Sequence, residues 1–145
     1  MLLEDIEKQW AEDAIIDILK LSEESLKIPK LHSKYYSLLI FEKQILIKLR
    51  NSLDKKDYIL EQFFNKTLTP DEILAHNLGQ FSDKKYMKSD IPKAISNHQQ
   101  IVELKTKIGV QNIKIDFLES IIKQITNRNW VIRDAIEIKK FESGG

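Results

Sequence analysis

The sequence predicts an all-α fold, and three observations carry the prediction. Apolar residues recur at spacings of three and four over long stretches. The 145-residue chain holds only four Gly and three Pro, and Gly144 and Gly145 stand at its very end, so the interior is nearly free of helix breakers. No segment sustains the period-two alternation of a half-buried strand. The expected molecule is elongated, with two long helices, several short ones, and C-terminal helices forming an oligomer interface.

The elements follow in chain order. Leu3 to Trp10 reads as a short amphipathic helix, and Asp13 to Leu26 as a second, with Ile15, Ile16, Leu19 and Leu21 near one side. Pro29 is expected to hold Ile28 extended and to end that helix. From Lys30 to about Phe64 there is no Gly or Pro, and Leu31, Tyr35, Leu38, Ile45, Leu49, Leu53, Leu60 and Phe64 fall at helical spacing. A helix of that length rises ~50 Å. Thr69-Pro70-Asp71-Glu72 is a helix start: Thr69 caps, Pro70 suits the first position, and Glu72 completes a capping box. Gly79 is expected to stop that helix after Leu78. Gln80 to Lys88, with Lys84, Lys85 and Lys88, reads as a surface linker. Ser89 or Asp90 caps the next turn, with Pro92 near its start.

A long helix is then expected from about His98 to Asn127, with Gly109 inside it permitting close helix approach or a slight bend. Asn127-Arg128-Asn129 is the expected break before a last helix, Trp130 to Phe141. Through this third runs the most informative pattern of the chain: Ile101, Leu104, Ile108, Ile115, Leu118, Ile122, Ile125, Ile132 and Ile136, interrupted at Gln111 and Asn129. It is a heptad-like stripe of about five heptads, and a stripe that long must bury against something. Ile115, Leu118, Ile122, Ile125, Ile132 and Ile136, with Trp130 as a large anchor, are therefore the expected oligomerisation residues. Two regions of one continuous domain result: 1–88, carrying the candidate binding surface, and 89–145, carrying assembly.

Chemistry is sparse. There is no Cys, which removes disulfides, thiolate catalysis and Cys-ligated zinc together. His32, His76 and His98 stand at no metal-motif spacing, and the sequence has no H-E-x-x-H, glycine-rich phosphate loop or nucleophile elbow. The expectation is a protein that is not an enzyme and uses no cofactor or metal. The N-terminus lacks a signal-peptide core, and the longest apolar run, Leu38 to Phe41, is far short of the ~18 residues a membrane span needs. Formal net charge is +1. Any phosphate binding must come from local clustering or from many copies acting together.

One cluster has the right ingredients. Lys43, Lys48, Arg50, Lys55 and Lys56 decorate the first long helix, followed by Phe63-Phe64-Asn65-Lys66. Aromatics beside cations suit single-stranded nucleic acid, because bases stack on rings while ammonium groups meet phosphates. The plainer account is that Phe63 and Phe64 close the core and the lysines are solvated charge, with Asp54, Asp57 and Glu61 diluting the field. Helical phase places Phe64 with Leu53 and Leu60 on the apolar side, and Phe63 away from it.

Both ends of the chain carry a resemblance. Leu3-Glu4-Asp5-Ile6, Trp10, Asp13, Ile16-Asp17, Ser25, Ile28-Pro29 and Leu31-His32-Ser33-Lys34-Tyr35-Tyr36 resemble the UvsY recombination mediator family of T4-like phages. Phe63-Phe64-Asn65-Lys66 is similar to the family's aromatic-aromatic-Ser-Gly-Lys segment. So is the end: Phe117 to Ile125, Asn127-Arg128, Trp130, Ile132-Arg133, Ala135-Ile136 and Lys140-Phe141-Glu142. The resemblance implies a recombination mediator that binds single-stranded DNA, assembles into a homo-oligomeric ring through its C-terminal region, and helps the phage recombinase replace the single-strand-binding protein. It also implies action in the cytoplasm of an infected bacterium, away from membranes. Members often carry basic residues just before the aromatic pair; here Tyr58, Leu60 and Glu61-Gln62 stand there, and Lys34, Lys55, Lys56 and Lys66 with Phe63 are the expected DNA contacts. The alternative, from a different class, is a coiled-coil scaffold with no nucleic-acid role.

Overall fold

A computed structural model describes residues 1–80 and 82–144. Its order is α1 (Leu3–Asp13), α2 (Leu21–Leu26), α3 (Ile28–Phe64), α4 (Pro70–Ala75), α5 (Ile91–Asn97) and α6 (Gln99–Glu142). Among the described residues there is no strand, and no helix is long and apolar enough to cross a membrane. The all-α expectation holds.

The chain forms two compact units: Met1–Gln44 with Asn112–Gly145, and Ile45–Gln111. These cut across the expected 1–88 and 89–145 regions, because α3 and α6 each contribute to both units.

In the first unit α1 buries Ile6 and Trp10, one turn apart, and carries Glu4 and Asp5 in its first turn, where the helix dipole favours carboxylates. The expected helix from Asp13 to Leu26 is replaced by α1's end, a turn and the short α2. The Asp17 carboxylate accepts the N–H of Leu19 at 2.9 Å, a local bond that diverts the backbone from a helix. Three β-branched isoleucines at 15, 16 and 18 add little helix propensity, and Ile15 and Leu19 stay exposed, so no burial offsets it. Ile28 is not extended either. It is the first residue of α3, and Pro29 sits in the first turn, where a missing N–H leaves no helical acceptor idle.

The expected long helix at Lys30 to Phe64 is present as the 37-residue α3. Its core face includes Tyr35, Leu39 and a wholly buried Glu42 (0% exposed), whose carboxylate meets Lys114 at 3.3 Å. The Trp10 ring packs edge-on against Tyr35, with centroids 5.4 Å apart. The Asp13 carboxylate accepts the Tyr35 hydroxyl at 2.7 Å and the Lys34 ammonium at 2.6 Å.

The expected break at Asn127–Asn129 does not occur; α6 is one helix of 44 residues. Asn disfavours a helix by only a few tenths of a kcal/mol, whereas Arg128 is anchored. Arg128 is 4% exposed, donates to the Asp13 carbonyl at 2.8 Å, and lies over the Trp10 ring at 5.7 Å. The seam therefore runs Leu118, Ile121, Ile125, Arg128, Ile132, with Ile121 rather than Ile122 fully covered. Gly109 meets no neighbour: a Cβ there would have nothing within 4 Å. The expected close helix approach at Gly109 is absent.

The second unit has its own core of Leu60, Phe64, Leu68, Ile73, Leu78, Ile91, Ile95 and Ile101. The Thr69 capping box forms as expected, with Glu72 N–H donating to Thr69 Oγ1 at 3.2 Å. α4 stops earlier than expected, at Ala75, and the left-handed residue that ends it is Asn77 (φ 56°), not Gly79. The N–H of Leu78 reaches the Ile73 carbonyl at 3.0 Å and that of Asn77 the Leu74 carbonyl at 3.1 Å, a Schellman closure that drives Leu78 onto the core beside Ile73. Asp90 stands at the N-cap of α5 but makes no side-chain cap bond. The expected linker at Gln80 to Lys88 carries no helix in its described residues; its Phe81 lies outside them.

His98 joins α5 to α6. Its Nδ1 accepts the Gln100 N–H at 3.2 Å, which requires that nitrogen to be unprotonated. Burial, and then the positive charge of Lys56, hold the imidazole below its usual pKa. A depressed histidine contributes its full stability above its unfolded value, near 6.5, and loses it as pH falls from there toward the folded value. The melting temperature should therefore drop between pH 7.5 and pH 5.5, and His98→Asn should remove most of that drop. Equal slopes for both proteins in thermal melts would refute this role.

Candidate nucleic-acid interface

The end of α3 builds the site. The N–H of Thr67 reaches the Gln62 carbonyl at 3.0 Å and that of Lys66 the Phe63 carbonyl at 3.2 Å, so this helix also closes with a Schellman motif. The left-handed position is filled by Lys66, at φ 61°. Glycine fits that position without steric cost; a lysine there is strained by ~1 kcal/mol or more. The strain places its ammonium between two rings. Lys66 Nζ lies 5.5 Å from the Phe63 centroid and 5.7 Å from that of Tyr86. Lys84 Nζ lies 5.0 Å from Tyr86. Behind them Phe64 is buried, edge-on to Phe63 at 5.1 Å and to Tyr86 at 4.9 Å.

Beside this pair of rings opens a shallow depression of about 420 Å³, lined by Lys84, Lys85, Tyr86, Met87, Lys93 and Asp90 among others. Its three ammonium groups and that of Lys66 at the rings, against the Asp90 carboxylate, make the ring edge and its surroundings locally basic on a near-neutral chain. Phe63 and Tyr86 are both half-buried and pack against the core cluster. A cation over a partly exposed ring is held by about 0.5–1 kcal/mol, whereas a base stacked on an open ring face gains ~1–3 kcal/mol. An incoming base can therefore displace an ammonium from the ring face, and the freed cation can meet the adjoining phosphate.

The expected contacts divide. Phe63 and Lys66 are brought together, and Phe64 is core, as helical phase implied. Lys56 sits seven residues before Phe63, two turns away on the same side of α3, and is half-buried. Lys55 is exposed but projects ~180° from Phe64 around the helix. Lys34 belongs to the other unit and is neutralised by Asp13 at 2.6 Å. Sequence reasoning missed Tyr86, Lys84, Lys85 and Lys93. The signal was there in Lys84-Lys85-Tyr86-Met87-Lys88, an aromatic interleaved with cations like the segment at 63–66.

Of the expected assembly residues, Ile115, Leu118, Ile125 and Ile132 are buried by the chain itself, and Ile122 and Ile136 are half-buried. Trp130 is 59% exposed, with Arg133 stacked over it at 4.4 Å, and Phe141 is 85% exposed.

The family model described as "Recombination, repair and ssDNA binding protein UvsY" matches residues 9–145. The chain belongs to the UvsY family. Its fold matches crystal structures of the bacteriophage T4 recombination mediator protein UvsY. Lattice type II gives a TM-score of 0.83 at 21% identity, covering 99% of this chain and 98% of that one. Lattice type IV gives 0.83 at 19% identity, covering 97% and 99%, and lattice type I gives 0.82 at 20%, covering 95% and 98%. No curated protein sequence matches the chain. The family description carries recombination, repair and single-stranded DNA binding; the solved structures, at these identities, carry the fold.

Lys66 offers a test in which stability and binding move in opposite directions. Lys66→Gly removes both the strain and the cation. The fold should gain ~1 kcal/mol, read by thermal denaturation, while affinity for single-stranded DNA falls severalfold. Tighter binding by the glycine variant would contradict the site.

Proposed function

We propose that the protein is a recombination mediator that binds single-stranded DNA and helps load the phage recombinase in place of the single-strand-binding protein, in the cytoplasm of the infected host. One observation carries the DNA part of the reading: Phe63 and Tyr86 share the strained Lys66 between them, with Lys84, Lys85 and Lys93 around them. Ring stacking and phosphate contacts carry no sequence information directly, so binding that rests on them is indifferent to sequence. Lys56, on the same side of α3 as Phe63, extends the phosphate track along the helix.

The working form is a homo-oligomer, a ring. With Ile115, Leu118, Ile125 and Ile132 engaged inside the protomer, assembly falls to the exposed end of α6, where Trp130, Ile138 and Phe141 stand open. Repetition of a weak basic site around a ring raises avidity without any single strong contact.

A fluorescence-anisotropy titration against a labelled oligo-dT and a mixed oligonucleotide, each at two salt concentrations, tests the reading. Equal affinities that weaken steeply with salt support it. Absence of binding at low salt rejects it in favour of the scaffold alternative. For the loading step, recombinase filament formation on single strands precoated with the single-strand-binding protein should accelerate on adding the protein. No acceleration would limit the function to DNA binding.

A further inference from the structure

The chain contains two methionines and no cysteine. One of the two, Met87, follows Tyr86 and lines the depression of about 420 Å³ together with Lys84, Lys85 and Lys93. Its side chain is 71% exposed and takes no part in the core of the second unit, so the fold gains little from it. Its backbone is nevertheless fixed. The Asp90 N–H reaches the Met87 carbonyl at 2.9 Å at the turn into α5, and the preceding Tyr86 ring is held edge-on by Phe64 at 4.9 Å. A large apolar side chain is thus held open beside a ring and among ammonium groups.

A thioether in that position has two properties. It is unbranched and polarizable, so it adapts to the faces and edges of rings of any shape. It is also open to oxidation by virtue of its exposure. Phe63 and Tyr86 are half-buried, and Met87 supplies open apolar surface that those rings lack.

We infer that Met87 is the open apolar contact of the cluster of rings and cations, and that its oxidation to the sulfoxide turns binding down. The inference rests on the single-stranded DNA reading above. The step is a two-electron oxidation by a hydroperoxide: the sulfur gains an oxygen as the O–O bond breaks, and hydrogen peroxide leaves as water. The product replaces apolar surface with a polar S=O group. Its oxygen accepts hydrogen bonds, and Lys84, Lys85 and Lys93 line the same depression. An ammonium that turns to the sulfoxide is withdrawn from phosphate, so base contact and phosphate contact both weaken. Methionine sulfoxide reductases reverse the change.

Treating the whole protein with hydrogen peroxide tests it. Peptide mass spectrometry follows sulfoxide at Met87 and Met1, while anisotropy follows oligo-dT binding. Full conversion of Met87 should weaken binding roughly threefold or more, the order of one lost sulfur–ring contact, with the melting temperature unchanged. Reduction by methionine sulfoxide reductases should restore the affinity. Met87→Leu, measured against its own untreated sample, should lose nothing on treatment, which separates Met87 from Met1 and from ring damage. Met87→Gln, polar from the start, should bind less tightly than Met87→Leu without any peroxide. Bound oligo-dT should slow the oxidation of Met87 and leave that of Met1, in the other unit, unchanged. Undiminished binding by the sulfoxide form, an equal loss in Met87→Leu, a melting temperature that falls in step with affinity, or no protection by DNA overturns the inference and leaves the DNA reading standing. No binding of oligo-dT by the untreated protein removes both.

Discussion

Replacing both Phe63 and Tyr86 by alanine should weaken binding to single-stranded DNA about 30-fold or more. Each base stacked on an aromatic ring is worth ~1–3 kcal/mol, and every 1.4 kcal/mol is a factor of ten. Two lost stacks therefore remove at least ~2 kcal/mol. The loss should be the same for oligo-dT and mixed sequences, since every base presents a π-face. Lys66 and Lys84 lose the rings that hold them 5.0–5.7 Å away, so the salt dependence should also flatten. Phe64 provides the contrast. It is buried against Leu60, Leu68 and Ile91, and Phe64→Ala should cost the fold ~3–5 kcal/mol while leaving binding per folded molecule nearly unchanged. Anisotropy and thermal melting on the same samples separate the two effects. If the Phe63/Tyr86 double variant is folded and binds oligo-dT like the parent, these rings are not the base platform.

Much of the fold was legible because it depends on local rules. The Thr69 capping box is a short pattern with one structural meaning, and it formed as read. The length of α3 followed from an uninterrupted helical period between Pro29 and Thr69. The failures share a cause. At Ile28, Asn77 and Arg128 the sequence signal concerned one residue's preference, and tertiary contacts or end geometry outweighed it. Pro29 marks a helix boundary in either reading, and only the next turn decides whether the preceding residue is extended or helical. Asn127-Arg128-Asn129 looked like a break because its polarity interrupts the stripe. Whether a buried arginine has a carbonyl and a ring waiting for it depends on Asp13 and Trp10, more than a hundred positions earlier. The heptad stripe was real, but a stripe does not reveal whether its cover belongs to the same chain. The cluster of rings and cations was half visible for a similar reason. Phe63 and Lys66 are neighbours in sequence, whereas Tyr86 and Lys84 join them only after the chain has passed through α4 and turned back.

Arg128→Ala should be among the more damaging single changes to the first unit, at about 1.5–3 kcal/mol for a lost hydrogen bond from a charged donor. That is a sizeable part of the ~5–15 kcal/mol by which a domain is stable. The guanidinium links α1 to α6 through the Asp13 carbonyl and covers the Trp10 ring, which in turn packs on Tyr35 of α3. Truncation to alanine empties a covered site and leaves a carbonyl without its donor. Arg128→Met keeps much of the side-chain volume and should cost less, so the gap between the two variants reports packing apart from hydrogen bonding. A melting temperature lowered by about 5 °C or more for the alanine variant is the expected reading. The acid limb supplies a second one. Burial would raise the Asp13 carboxyl, but hydrogen bonds from Lys34 and Tyr35 and the charges of Lys34 and Arg128 outweigh it and hold the pKa below its usual value. A depressed carboxyl contributes stability above its unfolded value, near 4, and loses it as pH falls through the folded value. Without Arg128 the folded value rises toward the unfolded one, so that contribution shrinks and less of the stability lost below pH 4 traces to Asp13. If Arg128→Ala melts within a degree or two of the parent and both proteins lose stability equally with acid, Arg128 is not what joins α1, α3 and α6.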